Sequence, residues 1–197
     1  MPGWVWALIV VAAVVLVAIV VWRALAAKKT RMLQGRFGPE YDRTLESSES
    51  RRDAEADLKA RADRRDELEI RPLAPGARDR YVGEWQRVQA RFVDDPEGAV
   101  RESDMLIQQV MSDRGYPMDD FDQRAADVSV DHPDVVENYR EGHRLTRQAA
   151  TGDGTTEDLR QAMVHYRALF DELLEEGSDA PLERDAAART DGSAVRG

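Results

Sequence analysis

The sequence predicts an all-α protein: an N-terminal transmembrane helix, a charged stalk helix, and a small soluble bundle of about four helices. Three observations predict it. The first two dozen residues are almost wholly apolar, although the mean hydropathy of the chain is low, −0.58. The remainder is therefore very polar, and 34% of all residues are charged. Its few apolar residues recur three and four apart, the period of a helix face, which favours amphipathic helices over a thick sheet core.

Residues 4–22 read WVWALIVVAAVVLVAIVVW, without a charged or strongly polar side chain. As a helix these residues extend roughly 28 Å, close to the ~30 Å hydrocarbon core of a bilayer. Valine-rich sequence is a modest helix former in water, but in lipid every backbone group must bond internally, so a helix is the practical solution. Trp4, Trp6 and Trp22 stand at the two ends, where indoles prefer to lie. The flank 1–3 has no charged side chain, whereas Arg23, Lys28, Lys29, Arg31 and Arg36 all precede the first acid, Glu40. The positive-inside rule then places the C-terminal portion in the cytoplasm and the N-terminus outside, in a bacterial inner membrane. A cleaved signal peptide is the rival reading, since Ala24-Leu25-Ala26 resembles a cleavage site. Against it, a basic n-region is missing and the apolar run is too long.

Residues 23–39 form a basic juxtamembrane segment, suited to topology and to contact with anionic headgroups. Gly35, Gly38 and Pro39 mark a break. Residues 40–72 read as an exposed, charged stalk helix. Glu55–Lys59 and Asp57–Arg61 are acid-then-base pairs at i,i+4. Its apolar anchors, Leu45, Leu58, Leu68 and Ile70, are too sparse for more than weak coiled-coil potential.

Residues 73–176 hold the better-patterned helices. Pro75 suits a first turn, and Tyr81, Trp85, Val88 and Phe92 share one face. Asp95-Pro96 reads as an N-cap followed by proline at the first helical position. The stripe after it is Ala99, Val100, Ser103, Leu106, Ile107, Val110 and Met111, closed by Arg114-Gly115-Tyr116-Pro117. Residues 119–131 fit either a short helix through Phe121, Ala125 and Val128 or a brief extended segment at Val128-Ser129-Val130. Asp131-His132-Pro133 looks like a new helix start, with Gly142 an internal cost or a close-packing point. A final helix after Gly152-Asp153-Gly154 carries Leu159, Met163, Tyr166, Leu169, Phe170, Leu173 and Leu174. Residues 177–197 are Gly-, Asp-, Ala- and Arg-rich, and read as a disordered tail.

The blocks Arg91-Phe92-Val93-Asp94-Asp95-Pro96, Arg114-Gly115-Tyr116-Pro117 and Val128-Ser129-Val130-Asp131-His132-Pro133 resemble ones in uncharacterised bacterial membrane or secreted proteins. The resemblance spans roughly residues 75–175 and implies no catalytic residues.

Function is less legible. The net charge of −10 and pI near 4.9 repel phosphate backbones, so nucleic acid is not an expected partner. The absence of cysteine removes disulfides, thiolate nucleophiles and Cys-type zinc sites. No Walker loop, nucleophile elbow, zincin motif or dinucleotide fingerprint occurs, so an enzyme is not the expectation and no cofactor is implied. The densest acidic cluster is Asp119, Asp120, Asp122, Asp127, Asp131 and Asp134, with His132. It suggests a divalent-metal site for an enzyme or sensor, against the plainer reading of helix caps and solvated surface. Tyr116, Pro117 and Phe121 are a candidate docking spot, and Arg140, Arg144 and Arg147 share a helical face that could meet an acidic partner. The expectation is a membrane-tethered protein-interaction or scaffolding module with a protein partner, the metal-dependent reading being its alternative.

Overall fold

A computed structural model describes residues 3–175 and, within them, every side chain but those of 5–10 and 12. The described residues form eight helices and no strand, so the protein is all-α. It divides into two compact units, Met1–Arg65 and Asp66–Gly197. The tail expected over 177–197 lies outside the described residues.

The first unit begins with α1, Gly3–Phe37. Among the described residues no helix is long and apolar enough to cross a membrane. The expected span 4–22 falls partly outside the description. Its described side chains are Trp4, Val11 and the ten residues 13–22, all of them exposed. Gly38, at φ 45°, turns the chain into α2, Pro39–Ser47, with Pro39 in the first turn. Ser47 and Ser48 hydroxyls donate to the Thr44 carbonyl, satisfying an end carbonyl and stopping the helix. Ser50 then caps α3, Arg51–Asp66, by accepting from the Asp53 amide at 3.3 Å.

The stalk helix expected over 40–72 is therefore corrected to two helices with a serine-rich break. Nor is it exposed all round. Ala54, Leu58 and Ala62 recur four apart on one face of α3 and are buried, as are Leu33, Phe37 and Tyr41. Glu40 is buried too, and accepts from Arg61 at 2.8 Å, while Arg61 also reaches Asp57 at 2.6 Å. The Thr30 and Tyr41 hydroxyls both donate to Glu55, at 2.7 and 3.2 Å. Alanine supplies much of this face, and alanine is a faint signal in sequence.

The second unit contains five helices, one more than expected: α4 Ala77–Arg91, α5 Pro96–Arg114, α6 Phe121–Asp131, α7 Val136–Ala150 and α8 Thr156–Glu175. Pro75 precedes α4 instead of starting it. With Gly76 at φ 78° and a bond from the Ala77 amide to the Ala74 carbonyl, it forms a type II turn. In α5, Asp95 accepts from the Gly98 amide at 2.9 Å, and Gly115 at φ 97° ends the helix. That glycine is required twice over, since a Cβ there would lie 2.5 Å from the Glu69 carbonyl oxygen.

The ambiguous stretch 119–131 is helical. Asp120 caps α6 by accepting from Gln123 at 2.9 Å, and Val128, Ser129 and Val130 are all buried in it. His132 closes this helix; the one after it starts at Val136. One apolar core joins the unit. Trp85 of α4 stacks on Phe170 of α8 with ring centroids 4.5 Å apart. Ile107, Val110 and Met111 of α5 pack with Leu169 and Leu173 of α8. At Gly142 of α7 an added Cβ would stand 2.7 Å from the Tyr166 ring, so glycine lets α7 and α8 approach closely.

Candidate functional site

The second unit gathers its ionisable interior groups around Asp104. This residue sits at the edge of the α5 stripe, four residues after Val100 and three before Ile107. That position turns its carboxyl toward α6, α7 and α8 without placing it in the apolar centre. Oδ2 accepts from Gln108 Nε2 at 2.7 Å, one helical turn on. Oδ1 is buried, with the Tyr166 hydroxyl the group near enough to steady the carboxylate. Burial pushes the carboxyl above its ordinary range, and His143, Gln108 and Arg124 pull it part of the way back.

Three rings surround this charge. His143 of α7 lies flat on Phe121 of α6, centroids 3.7 Å apart and planes 9° from parallel. Burial lowers the imidazole below its usual range, and Asp104 opposes the shift. Tyr139 is fully buried; burial and the Asp104 charge push its phenol up to about 12. Arg124 Nε donates to that phenol at 3.4 Å. Tyr166 of α8 is raised further by the same two causes, and the Thr146 hydroxyl donates to it at 3.3 Å. Burial thus acts on all four groups in the direction of their neutral forms. The set is a buried cluster whose hydrogen bonds and ring contact link α6, α7 and α8.

Of the residues singled out from sequence, Phe121 belongs to this set, whereas Asp119, Asp120, Asp122, Asp131, His132, Tyr116, Pro117, Arg140 and Arg144 do not. Among the described residues no three His, Asp or Glu side chains come together to hold a metal ion. Asp120 caps α6, and Asp119 gives its carbonyl to Arg124. Asp122 is exposed, and Asp131 accepts from the Tyr116 hydroxyl at 2.8 Å. His132 is buried with Nδ1 3.5 Å from Glu172. Tyr116 is buried, Pro117 half-buried, and Phe121 packs on His143 and Tyr139. Arg140 pairs with Glu137 at 3.3 Å, and Arg144 makes a two-pronged bond to Glu141. Trp4 and Trp22 are exposed, as are Arg23, Lys28 and Arg31, with Lys29 half-buried, while the Trp6 side chain lies outside the described residues.

Asp104 was the residue missed. Its signal in sequence was an acid bordering an apolar stripe with an amide four residues on, a pattern that solvated helices share. Comparison with family models, curated proteins and solved structures finds no match for this chain.

Proposed function

We propose that the chain is a single-pass membrane-anchored helical module whose second unit binds a protein partner at the cytoplasmic face. The observation that carries the reading is the surface of α1: residues 13–22 are all apolar and all exposed. A helix offers no polar side over that stretch, so water would meet apolar surface around its whole circumference. Lipid makes the same surface favourable. With residues 4–12 the apolar run reaches a bilayer's thickness, and Arg23, Lys28, Lys29 and Arg31 follow where headgroups would lie.

For the partner, the supporting feature is a shallow cleft of about 340 Å³ between α4 and α5. Met105 stands in it 56% exposed, next to Glu84, Arg87 and Glu102. An exposed, flexible thioether ringed by charges suits an adaptable protein contact. The test is a photo-crosslinker at Met105 in native membranes, with Val164 on the exposed side of α8 as control. A discrete adduct from position 105 and none from 164 supports the reading. Equal or absent adducts at both positions refute this cleft as the docking surface.

A further inference from the structure

We propose that the first unit holds the phosphate of an anionic phospholipid in a basic cleft between α1 and the start of α3. The proposal rests on the membrane-anchor reading and adds the ligand. The cleft measures about 910 Å³. Arg23 and Lys29 of α1 face it from one side, and Arg51 and Arg52 of α3 from the other, with Trp22 at its apolar edge. Sequence alone suited the first two to topology and to general contact with anionic headgroups; only the turn through α2 brings the second pair beside them and makes a cleft.

Three further observations select an anion. The cleft has one acid, Glu55, and its carboxylate already accepts from the Thr30 and Tyr41 hydroxyls. Among the described residues, Arg23, Lys29, Arg51 and Arg52 make no ion pair and no side-chain hydrogen bond. Elsewhere Arg80, Arg91, Arg101, Arg144 and Arg160 all have a carboxylate partner. Residues 1–65 also carry 12 Lys and Arg against 8 Asp and Glu, while residues 66–197 carry 16 against 30. Four uncommitted cations thus converge in an otherwise acidic chain.

Guanidinium forks match phosphate oxygens two at a time. A lipid is favoured over free phosphate because the cleft opens at Trp22, where the exposed apolar face of residues 13–22 ends. A phosphate at Arg23 would leave acyl chains lying along that face, an arrangement unavailable to an inorganic ion.

The full chain in a neutral detergent is examined by native mass spectrometry with dioleoyl phosphatidylglycerol or dioleoyl phosphatidylcholine. The wild type should retain phosphatidylglycerol preferentially. Arg51→Ala with Arg52→Ala should weaken that retention about thirtyfold, from the usual contribution of a basic residue near an anionic surface taken twice. Lys59→Ala with Arg101→Ala, which removes two cations outside the cleft, should leave it unchanged. Circular dichroism checks that α3 still folds; Lys29→Ala, on α1, is the second variant, with loss of retention again expected. Equal retention of the two lipids, or equal loss in both double variants, overturns the site. Displacement of the lipid by excess inorganic phosphate overturns the lipid assignment. Alkaline extraction separates the anchor from the cleft: a chain that leaves membranes yet prefers phosphatidylglycerol refutes only the anchor, and one that stays without preference refutes only the cleft.

Discussion

Two glycines inside helices allow a matched test of how closely α7 and α8 pack. At Gly142 of α7, a Cβ would stand 2.7 and 2.8 Å from Cδ1 and Cε1 of Tyr166. That ring is fully buried, lies 6.3 Å from the Tyr139 ring and is bonded through its hydroxyl to Thr146, so it has little room to retreat. Forcing a methyl into such a contact costs about 1–3 kcal/mol. Replacing a helical glycine by alanine returns about 1 kcal/mol through backbone entropy. Gly142→Ala should therefore lose about 1 kcal/mol net. Gly83 of α4 has nothing within 4 Å of the same position, so Gly83→Ala should gain about 1 kcal/mol. The pair is separated by about 2 kcal/mol, or roughly 1 M in urea midpoint for an m-value of about 2 kcal/mol/M. Urea unfolding of the full chain, followed by near-ultraviolet circular dichroism, measures it. If both variants stabilise equally, the close approach of α7 to Tyr166 is refuted. If Gly83→Ala destabilises, the backbone-entropy estimate for α4 is wrong.

Further outcomes follow from the buried charges. Folding raises the Asp104 pKa, so the folded state favours its neutral form, and the penalty grows as pH rises through the raised value. Asp104→Asn should stabilise the protein at pH 8 and much less at pH 4; a pH-independent gain in thermal midpoint contradicts this. His143 is shifted the other way: its contribution is complete above the ordinary 6.5 and lost as pH falls below it. His143→Phe keeps a ring on Phe121, so the wild type should lose more stability than the variant between pH 7.5 and 5, and parallel profiles count against it. In the first unit, Arg61→Ala takes a bonded cation from the buried Glu40 carboxylate and should cost about 1–3 kcal/mol. Limited proteolysis should then cut faster within 39–65; unchanged cleavage there contradicts the role of this pair.

What sequence revealed, and what it did not, follows the range of the interactions involved. The ends of α5 were readable because Asp95, Pro96 and Gly115 act within one turn of themselves. The face of α4 was readable because Tyr81, Trp85 and Val88 are large and regularly spaced. α6 was ambiguous because Val128-Ser129-Val130 alternates like a strand, although all three side chains are buried in the helix that Asp120 starts. The fold of residues 39–66 was hidden by its dependence on alanine: Ala54 and Ala62 flank Leu58 on a buried face that reads as solvated in a chain so rich in charge. Asp104 was illegible because the groups that act on its carboxyl, Arg124, His143 and Tyr166, stand 20 to 62 positions away in sequence. The basic cleft had the same difficulty, since Arg51 and Arg52 meet Arg23 and Lys29 only through the turns at Gly38 and Ser48.

The measurement that bears most directly on the membrane reading is alkaline carbonate extraction of the full chain from cell membranes. A companion variant carries Val14, Leu16, Val17, Ile19 and Val20 replaced by serine. Insertion of α1 predicts that the wild type stays in the membrane pellet and that the variant moves to the supernatant. Recovery of the wild type in the supernatant would contradict it.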